Sequence, residues 1–238
     1  MGDVGSIAAQ GRTSYDLSTY VNPAHPLPAG CTIRIEGMAP GASVVALKVF
    51  SNNLLTAPTS TIVQAIDYAI NTAHVNVLNE SFGANPYPDN ATDPISIANQ
   101  DAIDAGIAVT TSTGDSGSGN TLGTASTDPN VIAAGASTAE RVYAQVDNYG
   151  FPLSNGKYTS NQLSGLSSGG IAQTNRVQDL LAPGDLNWSL CSNRLLANGD
   201  PQYYSCGDYN TGAPSNIQIF GGTSESCLLY TSPSPRDS

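Results

Sequence analysis

The strongest constraint on this chain is an alternation of two periods along its first 137 residues. Short runs rich in β-branched and apolar residues take turns with segments of helical spacing. Ser43 to Phe50 is such a run and predicts a buried strand. From Ser60 to Ala73, residues Ile62, Ile66, Ala69 and Ile70 recur at helical spacing, and Ser60 or Thr61 is available to cap the start. Val75 to Asn79 predicts the next strand. Asp93-Pro94 opens a second helix that runs to Ala105, with Gly106 as its stop. Ile107 to Thr111 and Val131 to Ala134 predict two further strands. Strands separated by helices of this length imply βαβ units, hence an α/β fold with a parallel sheet and helices on both faces. Beyond about residue 140 the helical period stops, and Tyr, Asn, Ser and Gly dominate. That half predicts loops and antiparallel strands on the same domain, with a strand candidate at Val177 to Leu181. No linker divides the chain.

The 238 residues are enough for one domain with a sizeable core. Charged residues make up only 11%, and 19 acidic against 8 basic side chains leave a net charge of −11. With no basic run, nucleic acid and anionic membrane are excluded as expected partners, because phosphate binding needs clustered Lys and Arg. No apolar stretch is long enough for a transmembrane helix. The acidic surface favours solubility, and a monomer is expected. Calcium would need clustered carboxylates and carbonyls. No loop has that ligand spacing, so no metal or other cofactor is assigned, and calcium is left open. The cysteines are Cys31, Cys191, Cys206 and Cys227, none in C-x-x-C spacing. Cys191 and Cys206 flank a polar loop that a disulfide could close, as in an exported protein; two unpaired thiols are the alternative. Cys31 has no evident partner.

Residues 227–238, from Cys227 to Ser238, look like a translated sequencing-library adapter, with a Ser/Pro-rich natural tail as the alternative. The reading therefore sets them apart from a peptidase-like domain spanning residues 1–226.

Four motifs follow one another. Gly37-Met38-Ala39-Pro40-Gly41-Ala42 precedes the first strand candidate. Asn79-Glu80-Ser81-Phe82-Gly83 ends a strand. Ser112-Thr113-Gly114-Asp115-Ser116-Gly117 ends the next. Gly221-Gly222-Thr223-Ser224-Glu225-Ser226 comes last. Each is weak alone. In this order, and with Leu181-Ala182-Pro183-Gly184, the pattern resembles the subtilase family of serine proteases over nearly the whole chain to Ser226.

The resemblance implies a secreted serine endopeptidase with a polypeptide substrate. Ser224 would be the nucleophile at the mouth of a helix, whose free amides favour developing negative charge. Ser81, Phe82 and Gly83, with Thr113 and Gly114, would line the substrate groove by strand addition. Asp115 stands where the family has an oxyanion Asn. An ionised Asp cannot donate to an oxyanion, but a protonated one could, if burial raised its pKa; the alternative is a solvated Asp115 with donors only from the backbone. The family's catalytic Asp and His are not in the chain. Met1 to Ala9 resembles the helix just after that His, so the pair is expected upstream of Met1, and the central helix after Ser224 is expected to be lost. His25 and His74 read as surface and strand-edge residues rather than as the general base. Two other readings stand beside this one. A non-catalytic peptide-binding module would keep the groove without the base. A sedolisin-like acid peptidase would share Gly114-Asp115-Ser116-Gly117, but no Glu here has an Asp four residues on.

Overall fold

The computed structural model describes residues 2–19, 27–50, 56–83, 92–119, 121–123, 125–139, 142, 161–171, 177–192, 206 and 214–230. Its centre is a four-stranded parallel sheet in sequential order: β3 (Val77–Glu80), β4 (Ala108–Ser112), β5 (Ile132–Ser137) and β6 (Leu180–Pro183). The α/β fold with a parallel sheet is therefore as the alternating periods predict. Two antiparallel pairs flank it: β1 (Gln10–Asp16) with β2 (Thr32–Glu36), and β7 (Asn187–Leu190) with β8 (Ile217–Phe220).

Helices α2 (Thr59–Tyr68) and α3 (Pro94–Asp104) cover one face of the sheet. Ile62 and Ile66 of α2 and Ile95, Ala98 and Ala102 of α3 form one core with Val109 of β4. α1 (Gly2–Ala8) and α4 (Thr223–Tyr230) lie on the other face. There β5 presents Ala134 and Ala136, small side chains with no solvent exposure. That lets the α4 backbone approach the sheet closely. A second apolar cluster, Ala9, Leu17, Ile35 and Ile217, ties β2 and β8 together.

The local signals are honoured unevenly. Asp93 caps α3, its carboxylate accepting the Ile95 N–H at 2.9 Å. Gly106 ends that segment with φ +86°, in the left-handed region, and donates to the Ile103 carbonyl. α2, by contrast, starts at Pro58 with no side-chain cap, so neither Ser60 nor Thr61 serves. It ends in a π-helical turn, Ala69–Ala73, before His74 at φ +50°.

Residues 43–50 depart from the expected buried strand. They pair with no strand among the described residues, and Val44 and Val45 are 41% and 49% exposed. An apolar run becomes a buried strand only when a neighbour takes up its backbone groups, and none does so here. Only its end is anchored: Val49 packs beside the α2–α3 core, and the Phe50 ring meets Phe82 edge-on with centroids 6.1 Å apart. The helix expected to be lost after Ser224 is present over eight residues. Cys227 to Tyr230, set apart with the tail in the sequence, continue this helix, and Cys227 and Leu228 are buried against the sheet. Residues 231–238 lie outside those described, as does His25.

Two substitutions separate core packing from capping. Ile66→Ala should lower the unfolding free energy by roughly 2–5 kcal/mol, and Asp93→Ala by roughly 1 kcal/mol. Urea denaturation reads both.

Candidate active site

Three loop segments meet at the carboxyl ends of the central strands, where ligands bind in open α/β sheets. One is Ser81 to Gly83, just past β3. Another is Thr113 to Gly117, just past β4. The third is Gly221-Gly222, which leads from β8 into α4.

A carboxylate fastens the last two together. Asp115 Oδ1 accepts the Thr223 N–H at 2.8 Å and the Thr223 hydroxyl at 2.9 Å, while the Gly114 N–H donates to that hydroxyl at 3.0 Å. The negative charge thus sits on the first amide of α4, where the helix dipole favours it. Gly222 makes the fit possible. Its φ is +132°, and a Cβ there would lie 2.8 Å from Asp115 Oδ2.

Of the two readings of Asp115, the structure fits the solvated one: it is exposed and accepts in both of these bonds. Its geometry is that of a cap. The Ser224 N–H, the next amide, has no partner among the described residues.

Ser224 is half-buried and donates its hydroxyl to the Ser81 carbonyl at 3.2 Å. Beneath it the side chains alternate. Asn79 and Ser81 face α4: Asn79 Nδ2 reaches the Cys227 sulfur and Thr110 Oγ1, and the Ser81 hydroxyl reaches Asn79 Oδ1 at 2.8 Å. Phe82 turns the other way, into the α2–α3 core. It therefore borders the groove with its backbone rather than its ring. Gly83 is exposed. Thr113 is fully buried, its backbone bonded to Ala134 and Gly123, so it supports the groove wall. Hence the structure brings Ser224, Ser81, Gly114 and Asp115 together. His74 is placed elsewhere, at the other end of β3, with Nδ1 against the Ile70 carbonyl. A carbonyl cannot take the serine proton, so no base for Ser224 is present among the described residues. Cys191 and Cys206 form the expected disulfide, with Cα atoms 5.8 Å apart.

The sequence reading missed two buried acids around this junction. Glu225, next to Ser224, points into the α1 contact and accepts the Ser6 hydroxyl at 2.6 Å; desolvation raises its pKa to about 7, and Asp3 adds to the rise. Asp185 follows the Ala182-Pro183-Gly184 turn beneath Gly221, with Oδ2 unpartnered, and burial raises it to about 6. Glu225 lies inside the last motif and Asp185 directly follows the Leu181 to Gly184 turn, but only the packed structure makes them buried.

A family model described as the subtilase family matches residues 4–228. Among solved structures, a prenylagaramide maturation protease, PagA, is 20% identical, with 96% of this chain and 63% of that one covered and a TM-score of 0.56. Sphericase is 22% identical, with coverage of 94% and 61% and a TM-score of 0.54. The patellamide maturation protease PatA is 18% identical, with coverage of 90% and 60% and a TM-score of 0.53. At such identities the likeness is one of fold. The chain spans about 60% of the length of these structures.

The cap makes a graded prediction. Asp115→Ala should cost about 0.5–2 kcal/mol of stability, and Asp115→Asn, which keeps an acceptor oxygen, less. Gly222→Ala should cost more than Asp115→Asn, because strain and the carboxylate both oppose it. Urea titration ranks the three variants. Glu225 and Asp185 give a pH signature. Their folded pKa values lie above the ordinary carboxylate range, so each binds its proton more tightly in the folded state. Their stabilisation is full below about pH 4 and is lost as pH rises through about 6 to 7. Thermal melts should therefore fall between about pH 5 and about pH 8, and the Glu225→Gln variant should fall less.

Proposed function

The chain belongs to the subtilase family, and from that premise we propose that it carries the nucleophile half of a serine endopeptidase acting on polypeptides. Ser224 attacks the scissile carbonyl carbon. Its proton passes to a His held by an Asp, both supplied from sequence outside these 238 residues. The new oxyanion is met by the Ser224 N–H at the helix mouth; as it collapses the peptide C–N bond breaks, the His gives its proton to the departing amine, and water then hydrolyses the acyl group left on Oγ, its proton returning to Ser224 through the same His. The substrate lies extended beside Ser81 to Gly83, pairing with the strand tip through backbone bonds.

The observation that carries this reading is the Ser224 hydroxyl at 3.2 Å from the Ser81 carbonyl, which puts the nucleophile at the tip of the proposed substrate strand. The packing of α1 supports an upstream base. The Ser6 hydroxyl bonds Glu225, and a Cβ at Gly2 would lie 3.1 Å from the Phe220 ring, so the start of α1 sits beside the strand that feeds α4. The Cys191–Cys206 disulfide favours a secreted protein. One observation favours a second reading, a peptide-binding module without catalysis: the Ser224 hydroxyl is already spent on a carbonyl and has no base among the described residues.

The test uses the whole reading frame, expressed and given denatured casein. Cleavage is expected, and Ser224→Ala should lower kcat/KM by roughly ten-thousandfold or more. Casein binding without cleavage, unchanged by Ser224→Ala, would replace the enzyme reading with the binding module.

A further inference from the structure

The groove's floor contains a buried acid that the reaction does not use. Glu80 is the last residue of β3, directly before Ser81 to Gly83, and its side chain points to the α2–α3 face, away from Ser224. It is 1% exposed, and its partner Asn99 on α3 is 0% exposed. Asn99 Nδ2 donates to Glu80 Oε2 at 2.9 Å. The remaining oxygens of both groups, Glu80 Oε1 and Asn99 Oδ1, are buried without a partner. So is the hydroxyl of Thr111, which is the register partner of Glu80 on β4.

A carboxylate oxygen and an amide oxygen only accept, so this pocket is short of a donor. Leaving both unmet is costly in a site closed to water. The Thr111 hydroxyl has a single proton and could serve only one of them. A proton on Oε1 turns the acid into the missing donor. The charges around it agree. Asp128, on the turn between β4 and β5, acts on Glu80 with the same sign, and Asp101 and Asp104 of α3 and Asp67 of α2 lie exposed on their helices. No cation offsets a charge on Glu80 among the described residues that act on it.

We infer that Glu80 is a positioning residue carried as the neutral carboxylic acid, its Oε1–H donating to Asn99 Oδ1 while Asn99 Nδ2 donates back, and that this closed pair holds the strand tip that forms the proposed substrate edge. The proton comes from and returns to solvent. Desolvation raises the Glu80 pKa to about 7, so the pair is intact in mildly acidic solution and opens as pH rises through that value. Ionisation then leaves a buried charge beside Asp128, and the Ser81 to Gly83 backbone loses its support. The inference deepens the peptidase reading, because those residues are its proposed substrate edge, but its tests need no catalysis.

Glu80→Gln is the decisive variant, since a carboxamide reproduces the closed pair and cannot ionise. At about pH 5 it should melt with wild type, and at about pH 8 it should melt higher, by roughly 4 °C or more. Glu80→Ala should melt lower at both. Infrared difference spectra at about pH 6 should show a carboxylic-acid carbonyl band in wild type that Glu80→Gln lacks. Hydrogen exchange in a peptide covering residues 78–83 should be faster in wild type than in Glu80→Gln at about pH 8, and equal at about pH 5. A Glu80→Gln chain less stable than wild type at both pH values, or no acid band lost between wild type and Glu80→Gln (Glu225 and Asp185 contribute bands to both), would overturn the neutral pair in favour of an ionised Glu80 served by a buried water. Equal exchange at about pH 8 would overturn the support of the strand tip. Failure of casein cleavage alone would touch only the peptidase reading.

Discussion

The Asp115 carboxylate on the first turn of α4 is the contact on which the rest of the site depends. Asp115 belongs to the segment after β4, and Thr223 opens a helix that arrives from β8, more than 100 residues later in the chain. Two bonds from Thr223 to one carboxylate oxygen fix where that helix begins. Once that point is fixed, Ser224 has little choice of place: its hydroxyl faces the carbonyl just past β3, and its amide has no partner among the described residues. The contact also explains the local sequence. Gly222 must lack a side chain for the carboxylate to reach the amide, and Gly114 offers its N–H to the same threonine. A negative cap at a helix N-terminus is worth only about 1 kcal/mol in stability. Its value here is geometric, since it sets the separation of three loops.

The two faces of β3 divide the work. Asn79 and Ser81 turn toward α4 and make a polar bed of hydroxyl, amide and thiol groups beneath the nucleophile. Leu78 and Phe82 turn toward α2 and α3 and anchor the strand in the apolar core, with Glu80 between them. A strand with this alternation keeps its interior fixed while its tip stays polar on the α4 side. The buried acids Glu80, Glu225 and Asp185 all lie close to these loops. Each is desolvated by packing, so each favours the protonated form, and the site as a whole is tied to acidity through its scaffold.

The sheet was legible in the sequence because β3, β4 and β5 carry long-recognised signals: β-branched runs, helical spacing between them, and the Asp93-Pro94 and Gly106 marks at the ends of α3. The site motifs were legible for a related reason, since small residues and hydroxyls cluster where backbones must approach closely. What failed depended on partners. Val44 and Val45 read as buried, yet burial of a strand is decided by its neighbour, which a local run does not encode. β1 carries mostly polar residues and shows no alternation to find, whereas β2, Thr32-Ile33-Arg34-Ile35-Glu36, does alternate and was passed over because it is only five residues long. Asp115 was singled out with two readings, donor or solvated, and the sequence could not choose between them because its exposure and its link to Thr223 are long-range facts. Glu80, though inside a quoted motif, revealed nothing until Asn99 stood opposite it.

Membership of the subtilase family follows from a match across residues 4–228, and the geometry gives that membership local content. Strand tip, capped helix and free amide form one arrangement, held by the Asp115–Thr223 brace. A double-mutant cycle on unfolding free energy, combining Asp115→Ala with Thr223→Val, measures that brace most directly. The account predicts a coupling of about 1 kcal/mol or more between the two sites. Losses that simply add would contradict it, because the helix mouth would then be placed by something other than this carboxylate.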